Sequence, residues 1–158
     1  MALSLNERAQ RARKVLFDRY DQINALWLKA EEQIVQFHIP RPVCYGYHTE
    51  CEFTPCGEQP VVEHCLGVQK VKGKWRICYG TYPYNWPADP DWKPITECSA
   101  EVRTAAAKHL PNLRQAVVEC AEKFIAVADD AIEELEQFVK QDISHLLAER
   151  AKLNGSER

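Results

Sequence analysis

Six cysteine and histidine side chains lie close together near the middle of the sequence and are the first candidates for chemistry. They are Cys44, His48, Cys51, Cys56, His64 and Cys65. A structural zinc ion takes about four thiolate or imidazole ligands in a tetrahedron. The gap between Cys51 and Cys56 is at the wide end of known spacings, and the adjacent His64 and Cys65 would point to opposite faces of a strand. We therefore predict no cofactor and favour cysteines that pack as small apolar residues, with a zinc-stabilised module as the alternative.

Thiolate catalysis is the second chemistry that these residues suggest. A cysteine beside a histidine, such as Cys51 with His48 or Cys56 with His64, becomes a nucleophile where positive charge lowers the thiol pKa. The sequence supplies no third catalytic group, no glycine-rich phosphate loop, no nucleophile elbow and no His-Glu-x-x-His motif. We therefore predict no catalytic residue, and a cysteine-dependent enzyme stays an alternative only.

A basic cluster surrounds one tryptophan farther along the chain. It consists of Lys70, Lys72, Lys74, Trp75 and Arg76. Cations around an aromatic ring can hold a phosphate backbone while the ring stacks on a base, so a nucleic-acid-binding protein using residues 70–76 is one alternative function. The formal net charge of −3 opposes it, because nucleic-acid-binding proteins usually carry broad basic surfaces. We favour lysines that shield an exposed hairpin edge from other chains.

A proline-rich aromatic loop follows the basic cluster over residues 79–94. Its aromatic side chains include Tyr82, Tyr84, Trp86 and Trp92. Prolines stiffen such a loop, and rigid aromatic rings give a large contact area at a small cost in conformational entropy. We predict that these four side chains contact a partner protein. In the alternative, Tyr82, Trp86 and Trp92 lie back over the sheet and cover the core.

One long amphipathic helix is predicted within residues 1–39, because apolar residues recur there at spacings of three and four. Ser4 and Glu7 have the spacing of a capping box, in which each side chain binds the backbone N–H of the other residue. Pro40 and Pro42 are expected to end the helix.

A second helical region is predicted over residues 97–150, beginning after Ser99. Pro111 removes a backbone donor and crowds the preceding turn, so a kink or break is expected near Leu110. The apolar spacing shifts phase after Ala131. This shift favours a compact helical hairpin or bundle over a continuous coiled coil.

The central residues 43–96 change from helical spacing to an alternation of period two. The alternation is clearest over residues 66–82, where Lys72-Gly73 supplies a two-residue turn and predicts a β-hairpin. Phe53 and Val61-Val62 are expected in one or two further strands, because an isolated hairpin is marginally stable. The predicted fold class is α+β: a long N-terminal helix, a small antiparallel sheet, and a long kinked C-terminal helix or helices packed as a helical hairpin or bundle.

The length of 158 residues predicts that these elements form a single domain. Residues 151–158 form a polar tail that should fray. No apolar run is long enough to span a membrane. The N-terminus has no apolar signal-peptide core, which predicts a cytoplasmic protein with reduced cysteines.

The two helical regions carry opposite charge. Residues 1–42 contain seven Lys/Arg and five Asp/Glu, whereas residues 97–150 contain six and eleven. The amphipathic stretches also offer more apolar surface than a small sheet covers, which predicts a homo-oligomer formed through helices. The function that the sequence favours is a non-catalytic protein-protein interaction or adaptor protein, which presents its β segment and aromatic loop on a helical scaffold.

Overall fold

The computed structural model describes residues 4–84 and 90–155, and its α+β fold confirms the predicted class. The elements in chain order are α1 (Leu5–Val35), β1 (Val43–Thr54), β2 (Gly57–Val71), β3 (Lys74–Pro83), β4 (Lys93–Pro94), a 3-10 helix (Ile95–Glu97), α2 (Ala100–Ala107) and α3 (Leu110–Gly155). The chain divides into two compact units, Met1–Cys120 and Ala121–Arg158. None of the described helices is long and apolar enough to cross a membrane.

The start of α1 is fixed by the predicted capping box. The Ser4 N–H donates to Glu7 Oε2 at 2.8 Å, and the Glu7 N–H donates to Ser4 Oγ at 3.3 Å. These hydrogen bonds lower the pKa of Glu7. The helix ends at Val35, before the prolines, because His38 adopts a positive φ of 48° that a helix cannot continue through.

The four strands form one antiparallel sheet in the order β1-β2-β3-β4. Lys72 and Gly73 join β2 to β3 with φ values of 49° and 81°, the left-handed pair that a two-residue hairpin turn requires. The predicted hairpin is therefore confirmed. The register of β2 with β3 ends at Val62 opposite Pro83. Beyond that pair, β1 and β2 continue alone as a two-stranded ribbon to the turn before Gly57.

The main hydrophobic core of the described residues lies on one face of the sheet and is covered by helices. Its buried members include Trp27 and Ile34 of α1, and the strands and later helices supply the rest. These are Leu66, Val68, Ile77, Ile95, Cys98, Ala106, Leu113 and Val117, and Ile39 joins them from the segment between α1 and β1. The core therefore holds the C-terminal half of α1 and the first turns of α3 against the sheet.

Polar contacts also hold α1 against the sheet and α2. The Trp27 indole N–H donates to the Arg103 carbonyl of α2 at 3.2 Å. Glu31 accepts from Arg76 Nε at 2.6 Å and from the Ile77 backbone N–H at 2.8 Å. Arg76 also donates to Thr96 Oγ1 at 3.1 Å. One carboxylate of α1 thus binds both a side chain and the backbone of β3.

The second helical region is broken where the proline predicts. Ser99 caps α2 by accepting from the Val102 N–H at 3.3 Å, and α2 ends at Ala107. After a turn, α3 begins at Leu110. Pro111 thus lies in the first turn of a helix, where its missing N–H costs no helical hydrogen bond.

Candidate functional site

The cysteine and histidine cluster is distributed along β1, β2 and the turn between them. His48 and His64 are opposite each other, with ring centroids 5.4 Å apart. Cys44, Cys51 and Cys56 are exposed, whereas Cys65 is buried. In residues 4–84 and 90–155, no three Cys, His, Asp or Glu side chains come together in an arrangement that could hold a metal ion. These described residues therefore contain no assembled set of ligands that would support the zinc alternative.

Two of the buried cysteines, Cys65 and Cys78, belong to a second, smaller packing layer on the sheet face opposite the core. The strand register places Cys65 and Cys78 on that face with Gly67 and Gly80. Burial raises the pKa of the Cys65 and Cys78 thiols to about 12. Both thiols are therefore protonated and unreactive at neutral pH, as expected of cysteines that serve as small apolar residues.

Trp92 of the aromatic loop lies over this glycine and cysteine layer. A Cβ atom at Gly80 would approach Trp92 Cε3 to 2.8 Å, and one at Gly67 would approach Trp92 Cη2 to 3.0 Å. The Tyr82 ring meets Trp92 edge to face at a centroid distance of 6.0 Å. Tyr84 is exposed, and Trp86 lies outside the described residues. Two of the four predicted contact residues therefore pack on their own sheet.

The basic cluster is divided between solvent and the protein's own core. Lys70, Lys72 and Lys74 are exposed around the hairpin turn. Trp75 packs against the core cluster, and Arg76 is held by Glu31 and Thr96. A nucleic acid would meet three lysines, while the partly buried ring and guanidinium that should stack on bases and bind phosphates are engaged by the protein's own residues.

A hydrogen-bonded chain of titratable groups, which the sequence patterns did not reveal, crosses the three main strands. Glu50 Oε1 lies 2.6 Å from His64 Nε2, and the Tyr79 hydroxyl lies 2.6 Å from His64 Nδ1. In the neutral Nε2–H tautomer, His64 donates to Glu50 and accepts from Tyr79. Tyr47 stacks on His109 beside them, with centroids 4.4 Å apart.

The hydrogen-bonded side chains of Glu50, His64 and Tyr79 line a cavity of about 410 Å³ at the end of the core-facing sheet surface. Burial raises the pKa of Tyr79, and it raises that of Tyr47 to about 12. Both phenols therefore remain protonated hydrogen-bond donors rather than nucleophiles. The arrangement is a satisfied polar network, with Tyr79, His64 and Glu50 each bonded to a neighbour.

The apolar stripe of α1 extends far beyond the core. It is the helix face formed by the residues at spacings of three and four, namely Leu5, Ala9, Ala12, Leu16, Tyr20, Ile23, Trp27, Ala30 and Ile34. Trp27 and Ile34 are buried at its C-terminal end. Every residue from 4 to 22 is exposed, including Leu16 and Tyr20 on the same helix face. These residues, called the α1 arm below, span about 27 Å of helix at 1.5 Å per residue.

The stripe of α3 shows the same change from buried to exposed. Leu113, Val117 and Cys120 are buried. Farther along, α3 exposes ten large apolar side chains. They are Phe124, Ile125, Val127, Ile132, Leu135, Phe138, Val139, Ile143, Leu146 and Leu147. Residues 121–155, called the α3 arm below, thus carry a broad face of exposed apolar side chains.

The chain matches no protein-family model, no curated protein and no solved structure.

Proposed function

We propose that this protein is a non-catalytic interaction protein that self-associates through the exposed apolar stripes of its α1 and α3 arms. The observation that carries the proposal is continuity. In both helices the apolar residues that build the core are followed along the helix by apolar residues that face solvent. Exposed apolar surface of this extent is uncommon in monomeric proteins and usually marks a binding surface.

The free energy gained by burying apolar surface supports the pairing of these stripes with another apolar surface. Each square ångström of apolar surface removed from water contributes about 25 cal/mol. Helices also draw most of their stability from packing of an amphipathic face, so solvated arms gain order when they pair. A second copy of the chain is a partner that is present wherever the protein is present. A two-fold dimer gives both copies the same contacts.

The cellular location and the other contact surfaces complete the proposal. All seven cysteines are free, which suits a reducing compartment, and we place the protein in the cytoplasm. Tyr84 and the lysines at the hairpin turn are exposed and stand away from the stripes in sequence. They remain candidate contacts for a further partner that the assembled protein binds.

A pair of leucines in α1 tests the proposal. Leu16 lies on the stripe and is 51% exposed, whereas Leu26 lies off the stripe and is 63% exposed. Leu16→Gln should raise the dissociation constant of the self-associated form at least about tenfold, because each copy loses apolar burial at the contact. Sedimentation equilibrium of the two variants and the wild type measures the effect.

Leu26→Gln is the matched control and should associate like the wild type. Both leucines are solvent-exposed in the single chain, so neither change should lower the stability of the fold by more than about 0.5 kcal/mol. Equal association of all three proteins would exclude the α1 stripe as the contact surface.

A further inference from the structure

Different charges border the apolar stripes of the α1 arm and the α3 arm. This difference determines which arm of one copy pairs with which arm of a second copy. Resting on the self-association proposed above, we infer that the α1 arm of one copy pairs with the α3 arm of a second copy. A two-fold dimer built in this way contains two identical α1-α3 contacts.

The borders of the α1 stripe are basic. By the 3.6-residue helical period, Arg13 and Arg19 flank Leu16 and Tyr20 on either side of the stripe. The three acidic residues of the arm lie on the opposite face of the helix. They are Glu7, Asp18 and Asp21. The Arg13 guanidinium sits 5.8 Å from the centroid of the Phe17 ring, an arrangement that leaves its charge at the helix surface.

The α3 arm is acidic. Residues 121–155 contain eight Asp/Glu and four Lys/Arg, against three and five in residues 4–22. Glu134 and Glu136 border the apolar face on its two sides by helical period. Glu136 also meets Lys140 at 3.4 Å, one of the short-range pairs along this helix. Glu134 and Glu136 thus lie beside the apolar face of α3, as Arg13 and Arg19 lie beside the stripe of α1.

Pairing of like arms is disfavoured by the same charges. Two α1 arms would set Arg13 and Arg19 against their own copies, and two α3 arms would do the same with Glu134 and Glu136. Opposite charges beside an apolar seam are the usual determinant of partner choice between helices, because like charges in those positions repel. Crosswise pairing relieves both repulsions and places arginine beside glutamate on each border.

Charge inversion tests the crosswise contact. The first variant combines Arg13→Glu with Arg19→Glu, and the second combines Glu134→Lys with Glu136→Lys. Each should weaken self-association at least about tenfold at low salt, and the protein with all four changes should recover it. Sedimentation equilibrium measures association, and circular dichroism confirms that every variant keeps its helix content.

Arg11→Glu with Lys14→Glu is the matched control, since it changes the net charge equally on the face of α1 away from the stripe. This control should associate within about threefold of the wild type. If the four-change protein stays as weak as the first variant, or if both inverted variants associate like the wild type, crosswise pairing is wrong although self-association stands. A wild type that is monomeric throughout removes the proposed function itself.

Discussion

Replacing Trp27 by alanine is expected to lower the free energy of unfolding by about 4 kcal/mol, the largest effect of any substitution considered for this protein. Trp27 is 3% exposed and packs in the core between α1 and the sheet. The change removes a large aromatic side chain and leaves a cavity that the neighbouring strands and helices fill only in part. It also removes the indole donor that binds the Arg103 carbonyl.

Urea unfolding at one fixed protein concentration measures this effect, because self-association would otherwise stabilise the proteins unequally. Trp27→Phe is the informative companion. It keeps an aromatic ring in the core, loses the hydrogen bond to Arg103, and should cost about 1–2 kcal/mol. If alanine and phenylalanine had equally small effects, α1 would not be anchored to the sheet through Trp27.

Replacing Glu31 by alanine is expected to lower the free energy of unfolding by about 3 kcal/mol. Its carboxylate is largely buried and accepts hydrogen bonds from Arg76 Nε and from the Ile77 backbone N–H. Truncation leaves a half-buried guanidinium without its counter-charge and a backbone donor of β3 without its acceptor. Thr96 alone cannot replace the lost partner of Arg76, because it offers a neutral oxygen.

Glu32→Ala is the control for this substitution, since Glu32 neighbours Glu31 in α1 but is exposed. It should change stability by less than about 0.5 kcal/mol, measured by the same urea titration. Comparable losses from the two alanine variants would mean that the effect comes from helix propensity or net charge and not from the contact with β3.

The local features of the fold were predictable because short stretches of sequence determine them. The capping box at Ser4 needs only Glu7 three residues later, and the hairpin needs only Lys72-Gly73 between alternating residues. Pro111 breaks the second helical region because a proline constrains its immediate neighbours. Each of these signals lies within a few residues of the structure that it produces.

The length of β1 and β2 could not be predicted in this way. Their ribbon beyond β3 is exposed on both faces, so the outer part of β1 shows no alternation of buried and exposed residues. Alternation appears in a sequence only where one face of a strand is buried and the other is solvated. Phe53 lies in a strand as predicted, whereas the full extent of β1, from Val43 to Thr54, was not indicated by the pattern.

Contacts between distant residues were also beyond the sequence patterns. Glu31 binds Arg76 across 45 residues of chain, and Glu50, His64 and Tyr79 converge from three different strands. The register of the sheet, including the irregularities in β1, determines which residues of neighbouring strands lie side by side. Arg76 accordingly resembled a residue of a binding surface in the sequence, whereas the folded chain uses it to anchor α1.

The most direct test of the central claim is the mass of the wild-type protein in solution over a wide range of concentration. Sedimentation equilibrium from the micromolar range upward should show a reversible rise from the 18.2 kDa chain to twice that mass. A mass of 18.2 kDa at every concentration would show that the stripes of α1 and α3 do not bind a second copy.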